Sequence, residues 1–153
     1  AQLQVDAIVT TYGMVVQIGV IVVGPQAFLT DPLTGAWQKL DPASLPLNFV
    51  NLPKTLAGIV GAIQSPSYIG IEQLDGVPSL RVQGSIVSQE LIGLIPAAGQ
   101  GLPVGIQVWI GSEDHLVHQV QLEGPVRLEE PQRLVRILRF HGFDQPVEIV
   151  LPQ

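Results

Sequence analysis

Three histidines come closest to a metal-binding or acid–base pattern in this chain. His115 and His118 flank a predicted turn, and Glu113 or Asp114 could complete a zinc-ligand set with them. A polar hairpin tip in water accounts for the same residues more simply, and His141 is interpreted as a surface residue at the end of a strand. We therefore predict no metal site and no cofactor.

Nucleophilic catalysis needs a Ser, Thr or Cys side chain with a base in reach. The chain has no cysteine and no G-x-S-x-G elbow. The adjacent carboxylates Glu113-Asp114 and Glu129-Glu130 fall in predicted turns, where solvated charge is a simpler account than acid–base catalysis. The sequence predicts no catalytic residue and no enzyme. Five of the seven serines fall in predicted turns or at a helix start: Ser44, Ser65, Ser67, Ser88 and Ser112.

Charged side chains are scarce, at 13% of the chain, against roughly 25% in ordinary domains. The net charge is −6 with seven basic residues, which argues against a nucleic-acid partner. Apolar residues reach 46% and the mean hydropathy is +0.39. This is more apolar side chain than a tight core needs, so either a ligand or partner covers the excess or the domain is very stable and dry. Because large apolar patches usually mark binding surfaces, we expect a ligand or partner. The charges within residues 1–70 are Asp6, Asp31, Lys39, Asp41 and Lys54.

Period-two alternation of apolar and polar residues predicts a mainly antiparallel sheet. The Asp75-Gly76 pair marks a two-residue hairpin turn. In Arg133–Phe140, one face of the strand carries Leu134, Arg136, Leu138 and Phe140. The predicted strands are Gln2–Val9, Met14–Val23, Gln26–Thr30, Ala36–Leu40, Tyr68–Leu74, Val77–Ile86, Val104–Ile110, Leu116–Leu122, Arg133–Phe140 and Val147–Leu151.

Two short helices are predicted between the strands. Pro53 can open the first helix at its first position, and the segment Ser65-Pro66-Ser67 is expected to end it. Ser88 is a good N-cap for the second helix, Gln89–Ile95. Gly58 and Gly61 weaken the first helix by roughly 1 kcal/mol each relative to Ala, but they let it approach a sheet or a ligand closely.

The segment Met14–Val23 is apolar on both faces, which is unusual in an antiparallel sheet. One face should meet the core, and the other a helix or a ligand, although a shift of one residue reverses the two faces. Trp37 and Trp109 are expected to pack the sheet. The residues predicted to line a groove for acyl chains are Val16, Ile18, Val20, Val22, Leu56, Ile59, Val60, Ile63, Leu91, Leu94 and Ile95.

Four strings in the chain, in this order and spacing, resemble the LppX/LprA/LprF/LprG lipoprotein family. The resemblance covers nearly the whole sequence and includes both predicted helical segments. The strings are DPLTGAWQKL at 31–40, IEQLDGVPSLRVQGSI at 71–86, VGIQVWIGSEDHLVHQVQLEGP at 104–125 and LRFHGFDQPVEIVLP at 138–152.

The resemblance implies an α+β fold: a half-open antiparallel β-barrel, or U-shaped sheet, with short helices covering its concave apolar face. It is an architecture related to the LolA/LolB lipoprotein carriers. The resemblance also implies binding of lipids or glycolipids by their acyl chains, export to the cell envelope, membrane anchoring through a lipidated N-terminal cysteine, and a membrane transporter as a further partner. It carries over no catalytic residue.

We expect residues 1–153 to form one lipid-binding domain that lacks an N-terminal helix, a strand and the anchor cysteine of the family. Two other functions stay open from the residues alone. One is an envelope protein-interaction or sensor module that binds a lipoprotein or peptide in the same groove. The other is a hydrolase. A deep closed cavity favours lipid, whereas a shallow groove beside an open sheet edge favours peptide addition.

Overall fold

The computed structural model describes residues 2–11, 14–23, 26–30, 36–41, 52–99 and 101–141. Within these residues the chain forms nine strands, one α-helix and one 3₁₀ helix. The predicted strand Val147–Leu151 lies outside the described residues. The elements are β1 Gln2–Thr11, β2 Met14–Val23, β3 Gln26–Thr30, β4 Trp37–Leu40, α1 Leu52–Gly61, β5 Gln64–Leu74, β6 Val77–Val87, the 3₁₀ helix Ser88–Leu91, β7 Pro103–Gly111, β8 Val117–Glu123 and β9 Val135–His141.

All nine strands belong to one sheet in the order β4-β3-β2-β1-β9-β8-β7-β6-β5. Every pairing between neighbours is antiparallel, and β1 pairs with β9 to join the N-terminal four strands to the C-terminal five. The prediction of an open antiparallel sheet is therefore confirmed. In the described part of the chain, no helix is long and apolar enough to cross a bilayer.

The pairing register places apolar side chains in one row across six strands. Because paired residues point to the same face of a sheet, each partner extends the row onto the next strand. The side chains of this row are buried or half-buried, and together with α1 they form the hydrophobic core. We call this side of the sheet the inner face. The row is Ile18, Ala7, Leu138, Val120, Val108 and Val82.

The opposite, outer face carries a polar ladder around Trp109. The indole Nε1 donates to Glu72 Oε2 at 2.9 Å, and Arg81 lies over the ring at 5.3 Å from its centroid. Arg81 also donates to Glu72 at 2.9 Å and to Gln107 at 2.7 Å. The hydrogen bonds from Trp109 and Arg81 lower the pKa of Glu72. Trp109 is almost fully buried by this packing.

The second predicted helix is wrong in type and extent. The structure has a 3₁₀ helix only over Ser88–Leu91, with turns after it. The hydroxyl of Ser88 does not cap a helix. It donates to the Gly99 carbonyl and accepts the Leu102 amide at 2.9 Å. Pro96 further disfavours helical geometry at the residue before it.

The first helix ends earlier than predicted. It stops at Gly61, and β5 begins at Gln64 and runs through the segment Ser65-Pro66-Ser67 that was expected to be a break. Pro66 is tolerated there because β5 is an edge strand. Ser65 has a positive φ of 52°, and the register shifts between Gln64 and Ser67.

Gly84 allows the chain after α1 to cross close to the inner face. A Cβ at this position would lie against Ile63 Cγ2 and 2.8 Å from the Gln64 carbonyl oxygen. We predict that Gly84→Ala destabilises the fold by roughly 2 kcal/mol, because the backbone of β5 must shift. Chemical denaturation measures the free energy of unfolding.

The matched control is Gly58→Ala in α1, where an added Cβ meets nothing within 4 Å. This change should stabilise the protein by about 1 kcal/mol through helix propensity. Equal effects of the two substitutions would contradict the proposed close approach at Gly84.

Candidate apolar binding site

An apolar cavity of about 190 Å³ lies between α1 and the β7–β8 hairpin. The helix contributes Leu56 and Val60, one turn apart on the same helix face. The hairpin contributes Ile110 and Val117, which are partners across the two strands. The lining residues are Leu56, Ala57, Val60, Ile110, His115, Leu116 and Val117.

Six of the seven lining residues are apolar, and His115 is the exception. His115 is exposed and has a positive φ of 59° in the hairpin turn. Apolar cavities of about 150 Å³ hold a small hydrocarbon without any polar anchor. Ligand sites for whole drug-sized molecules are larger, at about 300–1,000 Å³. The cavity therefore fits one short segment of a hydrocarbon chain.

Ten of the eleven residues predicted to line a groove lie in one hydrophobic cluster on the inner face. The side chain of Val16 lies outside the described residues. Of these ten, Leu56 and Val60 line the cavity. Those in the buried part of the cluster are Val20, Leu56, Ile59, Ile63, Leu91, Leu94 and Ile95, and those packed against it are Ile18, Val22 and Val60.

Sequence reasoning missed most of the cavity wall. Ala57 was not among the residues singled out in the first helix. Ile110 was placed on an alternating strand, but its partner depends on a register shift between Trp109 and Ile110, which pairs Ile110 with Val117. A bulge of this kind leaves no clear trace in a hydrophobic pattern.

One histidine of the hairpin, His118, is engaged in a structural contact. His118 Nε2 lies 2.7 Å from Asp114 Oδ2, and the Asp114 Oδ1 atom accepts the Leu116 amide at 2.9 Å. Burial raises the pKa of Asp114, but the Leu116 amide and His118 outweigh it and the pKa is lowered. Within the described ranges, no three His, Cys, Asp or Glu side chains gather as a metal-binding group.

A partly buried ion pair lies at the other end of the inner face. Arg136 pairs in register with Leu122 of β8 and Val9 of β1, so its position belongs to the inner face. Its Nη2 donates to Glu130 Oε2, and the exposed fractions of the two side chains are only 15% and 11%. Glu130 also accepts the Val126 amide at 2.9 Å.

The pKa of Glu130 reflects this enclosure. Burial raises it, but hydrogen bonds from Arg136 and the Val126 amide, with the charges of Arg136 and Arg127, bring it below the ordinary value of 4.5. The folded state therefore favours the ionised carboxylate, which stabilises the fold at neutral pH.

Residues 2–149 match the LppX_LprAFG lipoprotein family. The chain belongs to this family. The match covers every described strand and both described helices, so the family assignment and the observed sheet concern the same residues. A comparison with curated protein sequences found no match.

Two solved structures of LppX_LprAFG lipoproteins share the fold. LprF from Mycobacterium bovis is 15% identical with a TM-score of 0.61, and the alignment covers 97% of this chain and 89% of LprF. The lipoprotein LppX from Mycobacterium tuberculosis is 13% identical with a TM-score of 0.55, over 97% of this chain and 89% of LppX. A LolA superfamily protein from Nitrosomonas europaea, at 8% identity over 92% of this chain and 83% of that protein, has a TM-score of 0.30, too low to support a structural argument.

The charge of Glu130 gives a pH-dependent stability that can be measured. We predict that Glu130→Gln lowers the free energy of unfolding by roughly 2 kcal/mol at neutral pH, because Arg136 loses its charged, partly buried partner. The folded-state pKa lies below 4.5. The difference from wild type should therefore persist above 4.5 and shrink as the pH falls through the folded pKa.

The control for this prediction is Glu129→Gln, since Glu129 is the exposed neighbour in the chain. Denaturant titrations of both variants and wild type between about pH 7 and pH 3 give the comparison. A Glu130→Gln effect that stays constant over this range would show that the carboxylate charge does not stabilise the fold.

Proposed function

We propose that this protein binds lipids or glycolipids by their acyl chains and carries them within the cell envelope, without catalysing a reaction. The observation that supports this most directly is the apolar cavity between α1 and the β7–β8 hairpin. The cavity adjoins the buried inner face, because Ile110 and Leu56 belong to the same hydrophobic cluster. Membership of a lipoprotein family supports the proposed envelope location.

The energetics favour a hydrocarbon ligand. Each methylene group moved from water into such a site gains about 0.8 kcal/mol. The observed volume admits only part of a long chain, so binding a whole chain requires α1 to move away from the sheet. The outward side of the helix offers room, since a Cβ at Gly58 or Gly61 would meet nothing within 4 Å.

The further partners follow from the family and are part of the same proposal. We infer an exported protein, anchored to the membrane outside the cell by a lipidated N-terminal segment, which receives or delivers its lipid with a membrane transporter. The inner face is the lipid-binding surface in this proposal. Val16, Ile18, Val20 and Val22 contact the chain from β2, and the remaining seven candidates contact it from α1, from Ile63 just after α1, and from residues 88–95.

A protein-interaction module remains the second candidate, because the edge strand β5 presents large apolar side chains. Tyr68 is 72% exposed, and Ile69 and Ile71 are also exposed. Such an edge can accept a peptide as an added strand. The register shifts in β5 and its Pro66 work against a regular added strand. Lipid binding is therefore the better supported function.

Filling the cavity tests the proposed function. Ala57 is exposed on α1 and lines the cavity, so Ala57→Trp places an indole there without removing a core side chain. We predict that this variant binds a fluorescent fatty acid at least about tenfold more weakly, because displaced methylenes lose about 0.8 kcal/mol each.

The matched control is Ala97→Trp, the same substitution at an exposed site away from the cavity lining. Fluorescence titration of delipidated protein gives the dissociation constants. If wild type takes up no fatty acid, or both tryptophan variants bind as wild type does, the cavity is not a lipid site.

A further inference from the structure

Among the described residues, Arg136 is the arginine at an inner-face position, and its neighbours there are apolar. The partner of Arg136 on β8, Leu122, is fully buried, and Leu138, which faces the same side two residues along β9, is also buried. A guanidinium in such surroundings is unfavourable unless its N–H groups are paired.

The hydrogen bonds of Arg136 are incomplete. Its Nη2 atom donates to Glu130, whereas Nη1 is buried and has no hydrogen-bond partner within the described part of the chain. Buried donors without partners are rare in native proteins, and each one calls for an acceptor from water, an ion or a ligand.

The charges around this donor also favour the binding of an anion. Arg127 Nε lies 3.6 Å from the same Glu130 Oε2 atom that Arg136 binds. Two guanidinium groups share one carboxylate, so the three side chains carry a formal charge of +1. Glu130 also accepts hydrogen bonds from the Val126 amide and from Arg136, so its two oxygens are already bonded.

We propose that Arg136 Nη1 binds an acidic oxygen of a lipid headgroup, either a carboxylate or a phosphate. This inference rests on the proposed lipid-binding function and adds the polar end of the ligand to it. Guanidinium groups suit both acids, because parallel N–H donors match their paired oxygens.

The two ends of the inner face fit one ligand. Ile106 pairs with Leu122 near Arg136, and Ile110 pairs with Val117 at the cavity. Four residues of β7 separate these positions, which is about 14 Å at about 3.4 Å per residue. A zigzag chain with C–C bonds of about 1.5 Å advances about 1.3 Å per carbon, so roughly eleven methylenes cover this span. The chain would lie over Val108 and Val120 when α1 moves away from them.

The test compares ligands with one chain and different headgroups. Hexadecanoate, hexadecyl phosphate and hexadecanol each compete with an uncharged fluorescent hydrocarbon probe at about pH 8, where both acids are ionised. Wild type should bind the two acids about tenfold or more tightly than the alcohol. In Arg136→Met this preference should fall to within about twofold, while the affinity for hexadecanol stays unchanged.

The matched control is Arg139→Met, on the same strand but facing outward, where Arg139 donates to Gln119 at 2.7 Å. This variant should keep the preference for acids. Because Arg136→Met leaves Glu130 with Arg127 alone, the double variant Arg136→Met/Glu130→Gln removes both charges and should lose the preference in the same way. Circular dichroism verifies the fold of each variant.

The outcomes separate the headgroup site from lipid binding itself. If wild type binds hexadecanol but does not prefer the acids, or if Arg136→Met retains the preference, the headgroup site is refuted and lipid binding stands. If Arg139→Met also loses the preference for acids, the overall charge of the protein accounts for that preference, and the headgroup site is refuted. Inorganic phosphate that displaces hexadecanoate from wild type at equal concentration would identify a free-anion site instead. If none of the three compounds binds, both proposals fail.

Discussion

The pairing register of the sheet determines where every other feature lies. Because Val5 pairs with both Val20 and Phe140, the two halves of the sheet turn apolar side chains to the same face. A slip of one residue would bring Ile18 and Val20 to the opposite side. The helix α1 then has one surface on which to pack, and the cavity forms where the helix and the β7–β8 hairpin leave a gap. Ligand binding in this protein thus depends on the same apolar row that stabilises the fold.

The two faces of the sheet differ in how completely their polar groups are hydrogen-bonded. On the outer face, Trp109, Arg81 and Glu72 satisfy one another through hydrogen bonds and a cation–π contact, so a large aromatic residue is buried without a helix over it. On the inner face the buried side chains are almost all apolar, and among the described residues the pair of Arg136 and Glu130 is the charged exception. The outer network is complete in itself, whereas the inner face contains an unpaired donor and a cavity. This asymmetry favours the inner face as the ligand-binding surface.

Much of the fold could be predicted from sequence, because strand alternation and the Asp75-Gly76 turn are local signals. The pairing of β1 with β9, which joins the two halves of the open sheet, is not local, so strand alternation could not reveal it. Ser88 misled the prediction because a hydroxyl that suits an N-cap serves equally well to bridge Gly99 and Leu102. The candidate residues were chosen as apolar residues at the right spacing, which identified the core. The same pattern could not show which core residues border empty space, since that depends on the bulge before Ile110 and on side-chain size at Ala57.

Native mass spectrometry of protein purified from a lipid-containing host tests the central claim most directly. The account holds that the apolar inner face takes up a hydrocarbon chain, so the spectrum should show the protein mass plus one acyl lipid. This adduct should disappear after delipidation and return when lipid is added. A spectrum with the bare protein mass alone, both before delipidation and after exposure to fatty acids and phospholipids, would contradict the account.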